Sequence, residues 1–147
     1  MSTEQNKVTA SRWFSDIITQ GQLAVADEIF AANHIIHDPH APPGGWPIGP
    51  EGLKAVATIF GGGFSGWNIT LEDQIAEGDK VATRWAASAT HTGPLMGMPA
   101  TGKTVRVTGV NVARFAAGKI AESWFIFDML TLLQQVGAIP SPEQGGS

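Results

Sequence analysis

The sequence of 147 residues contains no cysteine and no tyrosine. Without cysteine, the chain cannot form disulfides, thiolate zinc sites or iron–sulfur clusters, and it has no thiol nucleophile. No stretch approaches the roughly 18 apolar residues of a membrane span. The polar N-terminus also lacks the basic and apolar regions typical of a signal peptide. These absences favour a cytoplasmic protein without membrane contact.

Charged residues are scarce as well. Asp and Glu total 13 against 9 Lys and Arg, which gives a net charge of −4, and 43% of the residues are hydrophobic. A weakly acidic chain without a basic patch argues against nucleic-acid binding. The length and composition predict one compact domain over residues 1–147, with loose tails at 1–7 and 140–147.

The hydrophobic period divides the chain into two parts. Apolar residues recur at helical spacing over residues 8–62, interrupted by a loop rich in proline and glycine over 33–49. From Trp67 the period changes to two, which predicts strands over 67–75, 81–91, 105–115 and 120–128. A short helix over 129–136 follows, with Gly137 after its end. Helices followed by closely linked strands predict an α+β fold with N-terminal helices packed on an antiparallel sheet.

The hairpin between the last two strands has a turn that reads Phe115-Ala116-Ala117-Gly118-Lys119. A type I′ turn would force Ala117 to positive φ. We therefore predict a type I turn with a bulge at Gly118, so that Phe115 pairs with Lys119. Both faces of this hairpin then carry apolar residues. We expect one face to pack on the helices and the other to form a homodimer or higher oligomer.

Two motifs suggest sites that their surroundings do not favour. Residues 97–104 match the letters of a phosphate-binding loop, but a strand-like segment follows where that loop requires a helix. His34, His37 and His40 are spaced by three, yet Pro39 prevents a helix that would align them for a metal. We predict a strand connection and no metal site, with His37 free to contact a ligand.

Asp128 is the principal candidate for chemistry because it ends the last strand, on the predicted face of Trp124 and Ile126. A carboxylate among such side chains is desolvated, which raises its pKa and favours proton abstraction next to a carbonyl. Two other roles remain open. Asp128 also precedes the last helix, where it can act as an N-cap, and the predicted register places it opposite Arg106 for an ion pair.

A series of short motifs resembles the SnoaL-like polyketide cyclases, also called ester cyclases. The matching segments are His37-Asp38-Pro39, Gly49-Pro50-Glu51-Gly52, Glu77-Gly78-Asp79, Arg84-Trp85, Thr90-His91-Thr92-Gly93, Thr101-Gly102-Lys103 and the run from Arg114 to Gly137. The resemblance implies the cone-shaped α+β roll of nuclear transport factor 2, with a curved sheet and helices around a pocket. It also implies ring closure by aldol condensation in antibiotic biosynthesis, without metal or cofactor, and it matches Asp128 to the acid/base aspartate.

We therefore expect a cofactor-independent cyclase or isomerase that acts on a bulky, apolar carbonyl compound. Asp128 would move the proton, while Arg114 and His37 would orient oxygens of the substrate. The expected substrate contacts are Trp124, Trp85, His91, Trp46 and Ile126. Two alternatives are an epoxide hydrolase, which ordinarily needs more than one acid in its pocket, and a small-molecule carrier or oligomerisation module without catalysis.

Overall fold

The structure is a computed structural model that describes residues 2–140. Its helices are α1 (Thr3–Arg12), a π-helical segment (Trp13–Thr19), α2 (Val25–Ile29), α3 (Pro50–Gly63) and α4 (Met129–Gln135), and its strands are β1 (Phe30–His37), β2 (Phe64–Glu77), β3 (Lys80–His91), β4 (Thr104–Ala116) and β5 (Lys119–Phe127). The strands form one sheet in the order β1-β5-β4-β3-β2. N-terminal helices packed on a sheet confirm the predicted α+β class.

Local signals explain where two of the helices begin. The Ser2 side chain accepts a hydrogen bond from the backbone N–H of Gln5, and the Gln5 side chain accepts one from the backbone N–H of Ser2. These two bonds form a capping box for α1. The predicted loose tail is therefore wrong for residues 2–7, and 141–147 lie outside the described residues. Helix α3 begins with Pro50, whose fixed φ suits the first turn of a helix.

Strand β1 is absent from the prediction, which assigned its residues to a helix and the following loop. It pairs in parallel with β5, with Ile36 beside Ser123 and His37 beside Trp124. The other three strand pairs are antiparallel. The sheet is therefore mixed, and the prediction of a wholly antiparallel sheet is wrong. The reason is that only Phe30 and His34 of β1 are buried, so the segment lacks the alternation that identifies a strand.

The β4–β5 hairpin has a different turn from the one predicted. Ala117 (φ 51°) and Gly118 (φ 82°) both adopt positive φ, as a two-residue type I′ turn requires. Ala116 pairs with Lys119, and Arg114 pairs with Glu122 after a bulge. The predicted pairing of Phe115 with Lys119 is wrong, because this turn matches the twist of the strands at a cost of about 1–2 kcal/mol for the alanine.

The sheet has an inner face that packs on the helices and an outer face that contacts solvent. Trp13 of the π-helical segment stacks on Phe125 of β5 with ring centroids 5.5 Å apart, and the buried residues Val81, Ala113 and Phe115 belong to the same core. On the outer face, Ile126 is 61% exposed and Ile75 is 67% exposed. No helix within residues 2–140 is long and apolar enough to cross a membrane.

Candidate functional site

Two adjacent cavities, here called the inner and outer chambers, lie beside the inner face of the sheet. The inner chamber has a free volume of about 80 Å³, and its walls include Trp13, Phe14, Phe60, Trp67, Trp85, Phe125 and Phe127. The outer chamber has a volume of about 240 Å³ and is lined by residues that include His40, Trp46, Ile59 and Met96. The two chambers share Asp38, Phe60, Phe127 and Leu132. The larger of the two is just below the range that is typical of small-molecule sites, roughly 300–1,000 Å³.

The π-helical segment supplies one wall of the inner chamber. Trp13, Phe14 and Ile18 all line the cavity from this segment. The hydroxyl of Thr19 donates to the carbonyl of Phe14 over 2.8 Å, which holds the wide turn. Single π-helical turns are frequent at functional sites, and here the turn directs two aromatic rings at the sheet.

Gly109 makes room for the opposite wall. A Cβ atom at this position would lie 2.6 Å from Cζ2 of Trp85 and 2.6 Å from the carbonyl oxygen of Ile126. Because glycine has no Cβ, the Trp85 indole can lie against β4, where its Nε1 donates to Oδ1 of Asn111 over 3.0 Å. This bond fixes the amide of Asn111, which also lines the inner chamber.

Asp38 carries the carboxylate of the site. It follows β1 directly, is half-buried and lines both chambers. Its Oδ1 accepts from the backbone N–H of His40 over 2.8 Å, and its Oδ2 accepts from Nε1 of Trp46 over 3.0 Å. Among the described residues that line the chambers, no other is acidic. Each oxygen keeps a lone pair, so this carboxylate can take up a proton from a bound molecule.

Asp128 lies outside both chambers, although it was the predicted base. It is exposed and caps α4: its Oδ1 accepts from the backbone N–H of Thr131 over 3.0 Å, and its Oδ2 accepts from the Thr131 hydroxyl over 2.6 Å. These bonds lower the pKa of Asp128. The prediction of a desolvated carboxylate with a raised pKa is wrong. The ion pair with Arg106 is also wrong, because the register places Asp128 beside Thr108, whereas the capping role is confirmed.

Four other predicted site residues lie on the outer face of the sheet. Nε of Arg114 and Nε2 of His37 lie 2.9 Å and 2.6 Å from the two carboxylate oxygens of Glu122. Hydrogen bonds from both groups lower the pKa of Glu122. The ring of His37 stacks on Trp124 at 5.1 Å, and Ile126 is exposed. The predicted placement of these residues at a pocket is wrong, because alternate side chains along β1, β4 and β5 point away from the helices.

The remaining three predicted contacts have different surroundings. Trp85 lines the inner chamber, and Trp46 lines the outer one. His91 is completely buried and lines neither chamber. Its Nδ1 lies 2.9 Å from the hydroxyl of Thr101, and its ring packs against Phe64. These groups enclose the ring of His91, and its predicted contact with a substrate stays a prediction.

Comparison with known proteins identifies the family. The model of the SnoaL-like polyketide cyclases matches residues 8–136. The chain belongs to this family. Among solved structures, TsrD from Streptomyces laurentii is 24% identical with a TM-score of 0.82, and the match covers 95% of this chain and 99% of TsrD. IdmH from Streptomyces antibioticus, a candidate polyketide cyclase, is 32% identical with a TM-score of 0.74, and the match covers 90% of this chain and 98% of IdmH. No curated protein matches the sequence.

The two misleading motifs have structural roles in this SnoaL-like domain. Residues 97–104 connect β3 to β4 and lead into a strand, so they offer no helix N-terminus for a phosphate. His34 is buried beside Ser123, while His37 lies on the outer face. Within residues 2–140, no group of three or more His, Asp or Glu side chains could hold a metal ion.

Sequence reasoning missed three polar or amphipathic residues of this SnoaL-like site, namely Asp38, Asn111 and Trp67. Asp38 belongs to the His37-Asp38-Pro39 motif of the family resemblance, which was the one available signal for it. Alternation along the two strands of the hairpin predicts that Asn111 lies on the face opposite to Trp124 and Ile126, and it pairs with Phe125 on that face. That alternation was correct, but the sequence does not state which face encloses the cavity.

Proposed function

We propose that this SnoaL-like protein is a cofactor-independent cyclase or isomerase for a bulky, apolar carbonyl compound. The observation that carries the proposal is an aromatic cavity with one carboxylate, that of Asp38, at the junction of its two chambers. Apolar walls with a few polar groups are typical of small-molecule sites. Such walls also keep an enolate away from water during proton transfer.

The proposed reaction is an intramolecular aldol-type ring closure. The Asp38 carboxylate removes a proton from a carbon next to a carbonyl, and the resulting enolate carbon attacks a second carbonyl of the same molecule. The new C–C bond leaves an alkoxide, which takes the proton back from Asp38. An epoxide hydrolase ordinarily needs a second acid to hold its water, and Asp38 is the one acid among the described residues of the chambers.

The family resemblance assigns the proton transfer to Asp128 instead. Asp128 is exposed and lines neither chamber, and the two hydrogen bonds that it accepts from Thr131 lower its pKa. For these reasons we assign the role to Asp38. A paired comparison of Asp38→Asn with Asp128→Asn separates the two assignments, since each change removes one carboxylate and keeps the size of the side chain.

The test uses 2-tetralone, an apolar ketone whose C–H protons next to the carbonyl are acidic. Their exchange in D₂O is followed by ¹H NMR with wild-type protein and both variants. We expect Asp38→Asn to slow the protein-catalysed exchange by at least about 100-fold, and Asp128→Asn to leave it within threefold. Wild-type exchange in Asp38→Asn would refute the assignment. Binding of 2-tetralone without any catalysed exchange would favour a carrier.

The outer face supports a second proposal, that the protein forms a homodimer through its sheet. Ile35, Ile75, Val110 and Ile126 are all exposed there. Arg114 and Glu122 form an ion pair on the same face. Exposed apolar residues on one face of a sheet favour an interface, and a twofold pairing would bury the same face on both copies.

A further inference from the structure

Two residues that line the inner chamber, Asn111 and Trp67, carry side-chain N–H donors without an acceptor among the described residues. We infer that these donors hold the carbonyl or enolate oxygens of the ligand and so determine which apolar molecules the cavity accepts. The inference rests on the proposed function, because it specifies how the same cavity recognises its substrate. It assigns to both residues a role in positioning and specificity.

Asn111 is oriented by its neighbours. It lies on the inner face of β4, between Thr83 of β3 and Phe125 of β5. Because its Oδ1 accepts from Nε1 of Trp85, the amide nitrogen Nδ2 occupies the other position and makes no hydrogen bond within residues 2–140. Asn111 lines the inner chamber. Its two N–H groups are therefore without an acceptor among the described residues, and we expect an acceptor on a ligand in the inner chamber to pair with them.

Trp67 supplies the second donor. It lines the inner chamber and packs on Phe64 with ring centroids 5.6 Å apart. Its Nε1 is buried and has no hydrogen-bond partner among the described residues. The other buried polar atoms of this kind belong to Asn6, His34 and His91, none of which lines either chamber. A buried donor without a partner destabilises the protein until an acceptor reaches it.

The chemistry of these groups restricts the ligand. An indole N–H donates hydrogen bonds and does not accept them. The Oδ1 of Asn111 already accepts a hydrogen bond from Trp85. A carbonyl or enolate oxygen satisfies such donors, whereas a hydrocarbon of the same shape leaves them unpaired. The one carboxylate, Asp38, lies at the junction with the outer chamber. The ligand is therefore expected to place its oxygens in the inner chamber and its acidic C–H group towards Asp38.

The test compares 1,4-naphthoquinone with naphthalene, which has the same ring skeleton and no oxygen. The chain has no cysteine that the quinone could alkylate. Binding is followed through the indole N–H signals of ¹⁵N-labelled protein, with the Trp67 and Trp85 signals assigned by Trp67→Phe and Trp85→Phe. We expect the quinone to move the Trp67 signal downfield, as hydrogen bonding does, and naphthalene to leave it without such a shift.

The variant Asn111→Leu removes the amide and keeps the approximate volume of the side chain. We expect it to weaken binding of the quinone about tenfold and binding of naphthalene less than twofold. If Asn111→Leu does not fold, Trp67→Phe removes one donor and keeps an aromatic ring. The affinity for the quinone should then fall about fivefold, while the affinity for naphthalene stays unchanged. Equal losses for both compounds, or equal Trp67 shifts, would overturn the inference while the proposed function stands. Failure of both compounds to bind would contradict the proposed function as well.

Discussion

Acid should destabilise this protein through His34, a completely buried residue of β1. Its Nε2 lies 2.8 Å from the hydroxyl of Ser123, and its ring packs edge-on against Phe30. Burial lowers the pKa of His34 from 6.5 to about 4, although the negative charge of Glu122 opposes this change; the neighbouring His37 lowers the pKa further. The native state therefore holds the imidazole neutral at pH values where the unfolded chain already binds a proton.

The size of the effect follows from linkage between protonation and unfolding. One pKa unit corresponds to about 1.36 kcal/mol, so a change from 6.5 to about 4 amounts to about 3 kcal/mol. Because the folded pKa is depressed, this stability is fully present above pH 6.5 and is lost as the pH falls towards 4. At pH 5 the free energy of unfolding should already be lower by about 2 kcal/mol.

The assay is urea unfolding of wild type and His34→Gln between pH 7.5 and 4.5, followed by tryptophan fluorescence. Glutamine keeps a hydrogen bond to Ser123 within reach and does not titrate. We expect the wild-type free energy of unfolding to fall by about 2 kcal/mol more than that of the variant between pH 7 and 5. Parallel pH profiles would refute the reasoning, as would an NMR titration that gives His34 a pKa near 6.5.

Three further substitutions test other parts of the account. Asp128→Ala removes the cap of α4 and should lower the free energy of unfolding at pH 7 by about 1 kcal/mol in a urea titration; an unchanged value would contradict the capping role. Gly109→Ala places a methyl group against Trp85 and the carbonyl of Ile126. It should lower the free energy of unfolding by about 1–3 kcal/mol and shift the NMR signal of the Trp85 indole N–H. An unchanged free energy of unfolding would contradict the close contact at this wall. Ile126→Lys should convert the proposed dimer to a monomer in sedimentation analysis. The control Met96→Lys changes an apolar residue that is 65% exposed away from the outer face, and it should leave the dimer intact. A monomeric wild type would refute the dimer.

Much of the fold follows from the period of the hydrophobic residues. Four strands and the last helix were predicted within a few residues of their positions, because each has a regular apolar pattern. Strand β1 was missed because its sequence, Phe30–His37, does not alternate between apolar and polar residues, and only Phe30 and His34 of it are buried. The turn at Ala117 was missed because the twist of the whole hairpin outweighs the local preference of alanine.

The site was less predictable because both faces of β4 and β5 are apolar. The pattern correctly grouped Trp124 with Ile126 and Phe125 with Phe127, but helix packing decides which group faces the cavity. The predicted chemistry of Asp128 assumed that the face of Trp124 and Ile126 encloses the cavity, and this face is the outer one. An aspartate between a strand and a helix can be either the N-cap of the helix or a desolvated base. The sequence therefore left both roles of Asp128 open.

The proposed function requires that ligands bind between the helices and the inner face of the sheet, where Asp38 lies. Isotope-filtered NOEs between 2-tetralone and labelled protein test it most directly. We expect NOEs from the ligand to Phe60, Phe125 and Phe127, all of which line the inner chamber. NOEs to Trp124 and Ile126 on the outer face, without any to these three rings, would contradict it.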